Sequence, residues 1–113
     1  MAVRELGKGE WKNYFDRISH ALVGKRALIE AASLRLGDQV VADRVPLVGI
    51  SYDPKDDLVE IALEGLDHLI PGPRVIFVDE NGGRLGSLEI VDAEDQRQIV
   101  RLADPLMLPP PER

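Results

Sequence analysis

Apolar and polar positions along the chain change period twice. Trp11, Tyr14, Phe15, Ile18 and Leu22 recur at i, i+3, i+4, i+7 and i+11, while Lys12, Asn13, Asp16, Arg17 and His20 fall between them. That spacing places the apolar residues on one face of an α-helix. Glu10 stands where the helix dipole favours a carboxylate, and Gly24 is suited to the C-terminal cap. The pattern predicts a helix over residues 9–23, preceded by an arm at residues 1–8. Beyond Gly24 the period shortens. Residues 27–36 carry good helix formers as well as a Leu-Ile pair, so both states stay open there, with strand the reading taken.

From there short apolar runs alternate with turn signals. Gly37-Asp38 precedes a run from Gln39 to Val45, continued from Leu47 to Tyr52. Pro46, which has no amide to donate, marks an edge, bulge or break between them. A turn at Asp53–Asp57 leads to Leu58–Glu64, in which Val59, Ile61 and Leu63 share one side. Residues Gly65–Gly72 read as a connector, with Leu66, Leu69 and Ile70 turned inward. Val75–Val78, Leu85–Val91 and Ile99–Leu102 then form a meander, because Glu80-Asn81-Gly82-Gly83 and Asp92–Gln96 are turn-forming stretches. Gly86, inside a strand, reads as a bulge. The Pro-rich tail at residues 103–113 lies outside this meander, and its last prolines favour extended polyproline.

The predicted architecture is α+β in one domain. An N-terminal helix is followed by a curled antiparallel sheet or small barrel of about five to six strands over residues 26–102. That order resembles Sm and SH3-like barrels, a likeness of fold that carries no activity.

Composition narrows the chemistry. The chain has 113 residues and no cysteine, which removes disulfide, thiolate-metal and thiol-nucleophile chemistry. No apolar run nears the ~18 residues of a membrane span, so a cytoplasmic protein without a membrane partner is expected. Charge is uneven: residues 1–50 carry eight Lys/Arg and six Asp/Glu, residues 51–113 six and fourteen. The resulting +2 and −8 sum to the overall −6. A phosphate backbone would be repelled by most of this surface, so nucleic acid is not an expected partner. The asymmetry reads as a solvated acidic surface, with contact between copies, basic end to acidic face, as the alternative.

Arg4, Glu5, Trp11, Phe15, Asp16 and Ser19, then Pro46, Leu47, Gly49, Ile50 and Ser51, then His68, Pro71 and Pro73, and finally Leu88-Glu89-Ile90 form a series of landmarks. Together they resemble an uncharacterised bacterial family catalogued as domain of unknown function 5335, over roughly residues 4–102. The resemblance implies a small stand-alone bacterial protein and carries over no functional residue.

Candidate sites are few. His20 and Asp16, one helical turn apart, supply only two metal ligands, fewer than a site needs. Asp53, Asp56 and Asp57, the group Asp79-Glu80-Asn81, and Asp92, Glu94 and Asp95 read as solvated turn residues, because the calcium-loop pattern fails at Arg84 and Ile90. Gly82, Gly83 and Gly86 lack the lysine and the following helix of a phosphate loop. Trp11, Tyr14 and Phe15 read as core, not as a stacking platform. No catalytic residue, metal ligand or cofactor is expected. His68, with Asp67 and Arg74, is the place where a ligand or partner contact is expected. The functional expectation is a non-enzymatic binding or self-association module, whose partner is itself or another protein. The alternative is a small-molecule binder or minor enzyme with a pocket between helix and barrel near His68.

Overall fold

A computed structural model describes residues 2–34 and 37–108. Eight strands and one α-helix make up the fold there: β1 (Val3–Leu6), α1 (Trp11–Leu22), β2 (Arg26–Ser33), β3 (Gly37–Asp53), β4 (Leu58–Leu63), β5 (Leu66–Pro71), β6 (Pro73–Asn81), β7 (Arg84–Asp92) and β8 (Arg97–Met107). All pairings are antiparallel, in the order β1-β6-β7-β8-β2-β3-β4-β5.

The helix follows its pattern. Trp11, Tyr14, Phe15, Ile18 and Leu22 are its buried residues. A single 3₁₀ turn at Lys8–Glu10 leads into it, so the regular helix starts later than residue 9. The Glu10 carboxylate accepts the Gly7 N–H at 2.8 Å. The exit uses Gly24 at φ +81°, and the Lys25 N–H returns to the Leu22 carbonyl. Residues 26–33 are strand, while Arg35 and Leu36 lie outside the described residues.

Four expectations are corrected. The arm is not irregular: Val3–Leu6 forms β1 and pairs with β6, from Val3 opposite Asp79 to Leu6 opposite Ile76. The connector at Gly65–Gly72 is β5, paired along its length with β4. Only Ile70 of its apolar residues is buried; Leu66 and Leu69 are exposed. The last strand passes Leu102 and runs to Met107. The sheet therefore holds eight strands, not five to six, and stays open, with β1 and β5 as its two ends. The prolines after Leu108 lie outside the described residues.

Curling is built into β3. Over 17 residues this strand serves two partners in turn. Gly37–Pro46 pairs with β2, and Leu47–Asp53 pairs with β4. Irregularities cluster at the handover: Arg44 adopts φ +55°, and Val48 is bulged out of the pairing between Leu47 and Gly49. Bulges bend a strand and increase its twist. Pro46 sits inside this corner, where its carbonyl accepts the Glu64 N–H. Gly86 marks a second shift, between Leu85 and Ser87 on β7, as its place in the sequence suggested.

The helix seats in the concave side against β3. Trp11 meets Tyr52 edge to face at 5.1 Å, a favoured aromatic geometry. The Trp11 indole N–H donates to the Leu6 carbonyl at 3.1 Å. Ser19 Oγ accepts the Ile50 N–H at 3.3 Å. This close approach needs Gly49, where an added Cβ would come within 2.6 Å of Ser19 Oγ. Tyr14 donates its hydroxyl hydrogen to Glu80 Oε2 at 2.6 Å, and Tyr52 donates to Asp57 Oδ1 at 2.7 Å. Burial and the hydrogen bond to Glu80 push the Tyr14 phenol well above its ordinary 10.0. Burial and the bond to Asp57 push Tyr52 up to about 12. Burial alone would raise Glu80, but the donors Arg4 and Tyr14 hold its carboxyl below its ordinary 4.5.

Two predictions rest on this seating. Gly49→Ala should cost about 1–3 kcal/mol in urea unfolding, the usual range for overpacking, and Ser19→Ala in the same chain should recover part of that loss. Equal losses with and without Ser19 would contradict the contact. The chain has two tyrosines, and both hold their protons more tightly when folded than unfolded. Their contribution to stability is full below pH 10 and is lost as pH rises from there through about 12. Ultraviolet titration should show little phenolate before unfolding begins, and then a cooperative rise from both residues together. Half-ionisation near pH 10 in the native protein would contradict the arrangement.

Candidate functional site at the open edge

Strands β4 and β5 are joined by the two-residue turn Glu64-Gly65, with Leu63 opposite Leu66 and Gly65 at φ +77°. The pair that closes such a turn is hydrogen-bonded, and bonded and non-bonded pairs alternate beyond it. The backbone groups of Leu66, His68 and Ile70 therefore point to β4. Those of Asp67, Leu69 and Pro71 point outward, where the sheet ends. Two amides and three carbonyls thus face away from the sheet, since Pro71 has no N–H. Leu66 and Leu69 beside them are 42% and 51% exposed. The opposite end is guarded differently. There β1 is four residues long and carries Arg4 and Glu5, and short charged strands discourage edge pairing.

Side chains of β5 alternate across the sheet. His68 and Ile70 turn to the concave side, and Asp67 and Leu69 to the other. His68 is half-buried and reaches across the opening to β8, a strand with which β5 shares no backbone pairing. Its Nε2 lies 2.9 Å from Gln98 Oε1. The Gln98 amide in turn donates to Gln96 Oε1 at 3.1 Å. An amide oxygen only accepts, so Nε2 donates the hydrogen in this pair. Gln98 is buried at 4% exposure, so the imidazole satisfies a group that water does not reach.

The hairpin at residues 92–96 forms the far wall. Asp92, expected to be a solvated turn residue, is instead buried, and its Oδ1 accepts the N–H groups of Glu94 and Gln96 at 2.9 and 3.0 Å. Asp95, at φ +60°, holds Arg74 Nη2 at 2.9 Å. The cleft between these walls measures about 370 Å³ and is bordered by His68, Pro71, Asp92, Glu94, Gln96 and Gln98, among others. No helix residue borders it, which places the histidine cleft away from the helix–sheet contact.

Of the three residues singled out by sequence, His68 alone lines this cleft. Arg74 braces its hairpin wall through Asp95, and Asp67 faces the other side of the sheet. Gln98 and Gln96 escaped notice, because an amide within a polar-apolar alternation carries no signal of a cross-sheet bond. His68 pairs with a neutral amide, so it lacks the carboxylate that would orient and polarise a general base. Asp53 Oδ1 accepts the Lys55 N–H, Asp57 holds Tyr52, and Asp16 pairs with Lys12 instead of His20. Among the described residues no three His, Asp or Glu side chains converge as metal ligands, and no helix is long and apolar enough to cross a membrane.

Comparison with known proteins agrees with the resemblance drawn from the landmarks. An uncharacterized protein of Aquifex aeolicus (strain VF5) is 41% identical over 110 residues, covering 96% of this chain and 99% of that one. No solved structure matches significantly. Residues 2–111 match the model of a family of unknown function, DUF5335, and the chain belongs to that family.

Proposed function

We propose that this protein is a binding module that works by strand addition at β5, and that the strand added is β5 of a second copy. The observation that carries this reading is the outward row of Asp67 and Leu69 amides, flanked by exposed Leu66 and Leu69, at the longer of the two sheet ends. The row is self-complementary. In a two-fold antiparallel pairing centred on His68, Asp67 of one copy stands opposite Leu69 of the other. Both outward amides of each copy then find carbonyls, giving four backbone hydrogen bonds. Registers shifted toward Pro71 lose a donor. In the centred register the Asp67 carboxylates avoid direct opposition, and the two Leu69 side chains meet diagonally.

A second reading has its own observation. The His68 cleft offers an imidazole ring beside fixed amides, which suits a small polar ligand. Such a ligand would raise the melting temperature, and His68→Ala would abolish the rise.

Sedimentation velocity over a concentration series tests the first reading. The wild type should shift from monomer to dimer as concentration rises. Leu69→Glu faces Asp67 of the partner with a like charge and should weaken association by about tenfold or more, roughly 1.4 kcal/mol. Adding Asp67→Lys to Leu69→Glu should restore it, because opposite charges then face each other in the same register. A wild type that stays monomeric, or a Leu69→Glu variant that associates like wild type, sinks the proposal.

A further inference from the structure

A second cleft, of about 550 Å³, lies along the exposed side of α1, and its walls include Arg4, Glu10, Asn13, Tyr14, Asp16 and Arg17. Its volume falls in the range of small-molecule sites, ~300–1,000 Å³. Two guanidinium groups converge there on one aromatic ring. The Cζ of Arg4 lies 5.8 Å from the Tyr14 ring centroid and that of Arg17 5.6 Å. Asn13 and Arg17 stand one helical turn apart and so project to the same side.

The carboxylates around this cleft are already engaged. Glu80 takes the Arg4 Nε at 2.8 Å and the Tyr14 hydroxyl at 2.6 Å. Glu10 accepts the Gly7 N–H, and Asp16 holds Lys12 at 2.7 Å. Arg17 forms no ion pair among the described residues, and its Nε is sealed from water without an acceptor. Glu80 feels the Arg17 charge at longer range, but a buried Nε without an acceptor is a destabilising arrangement that the Tyr14 ring offsets only in part.

We propose that this cleft binds a small oxyanion, the phosphate or carboxylate group of a small molecule, on the outer guanidinium nitrogens of Arg17, with Arg4 and the Asn13 amide as flanking donors. The guanidinium fork matches either group in bidentate fashion, and Tyr14 holds the fork in place. Arg4 is free to help because Glu80 engages its Nε and leaves its outer nitrogens. The site is independent of the β5 edge, so the two proposals stand or fall separately.

The test is a nuclear magnetic resonance titration of the full chain at constant ionic strength, with inorganic phosphate in one series and acetate in another. The Arg17 Nε–H and Asn13 side-chain amide signals should shift saturably in at least one series, and the series that does so identifies the class of anion. Arg17→Met keeps an apolar stem on Tyr14 and removes the group without an acceptor. It should melt no lower than wild type, yet weaken binding by about tenfold or more, read from the Asn13 signal. Arg17→Lys keeps charge without the fork and should bind at intermediate strength; it carries the same comparison if Arg17→Met does not fold. Arg101→Met, on β8 and outside the walls of this cleft, should bind like wild type. Absence of a saturable shift in both series, or equal affinity in wild type and the Arg17 variants, overturns the proposal.

Discussion

The bend in β3 is the constraint on which the rest of this structure depends. One strand serves β2 with its first half and β4 with its second, and the bulge at Val48 turns the sheet between them. A flat sheet of eight strands would leave its apolar face wet. The bend closes that face over α1, and it does so where Gly49 lets Ser19 of the helix approach the backbone. The helix is thereby fixed from several sides at once: Trp11 on Tyr52, Ser19 on Ile50, and Tyr14 on Glu80 of β6. Curling also brings β5 near β8 without joining them, which creates both the free edge and the histidine cleft.

How much of this the sequence disclosed depended on whether the determining contacts were local. The helix was legible because five large apolar residues keep a 3.6-residue period, and all five are buried. The meander was legible from its turns, since Gly82 and Gly83 adopt the positive φ that the hairpin requires. Strand β1 was hidden because Arg4 and Glu5 occupy half of it, and its partner among the described residues lies 70 or more positions away. Strand β5 was hidden because Asp67, His68 and Pro71 are poor strand formers, held extended here by β4 rather than by propensity.

The same division holds for the sites. His68 stood out as a rare titratable side chain among apolar neighbours, and it lines a cleft, though not one against the helix. Its partner Gln98 was invisible, as the bond crosses a gap between strands that do not pair. Asp92 looked like any acidic turn residue until its two backbone donors showed that it organises the hairpin. Arg17 read as part of the polar helix face. Only the positions of Arg4, Tyr14 and Glu80, drawn from three separate elements, reveal that it is a guanidinium with no close ion pair and a buried Nε that lacks an acceptor.

The pairing of β1 with β6 has a consequence for how the chain is made. Val3 lies opposite Asp79, and the Glu80 N–H donates to the Ala2 carbonyl, so the first strand has no place to dock until residues up to about 81 have left the ribosome. Through the synthesis of four intervening strands the amino end waits unpaired. The Tyr14–Glu80 and Arg4–Glu80 bonds wait with it. The two ends of the sheet thus differ in birth order as well as in chemistry: β5 emerges after its partner β4 and pairs at once, whereas β1 emerges first and is among the last to be held.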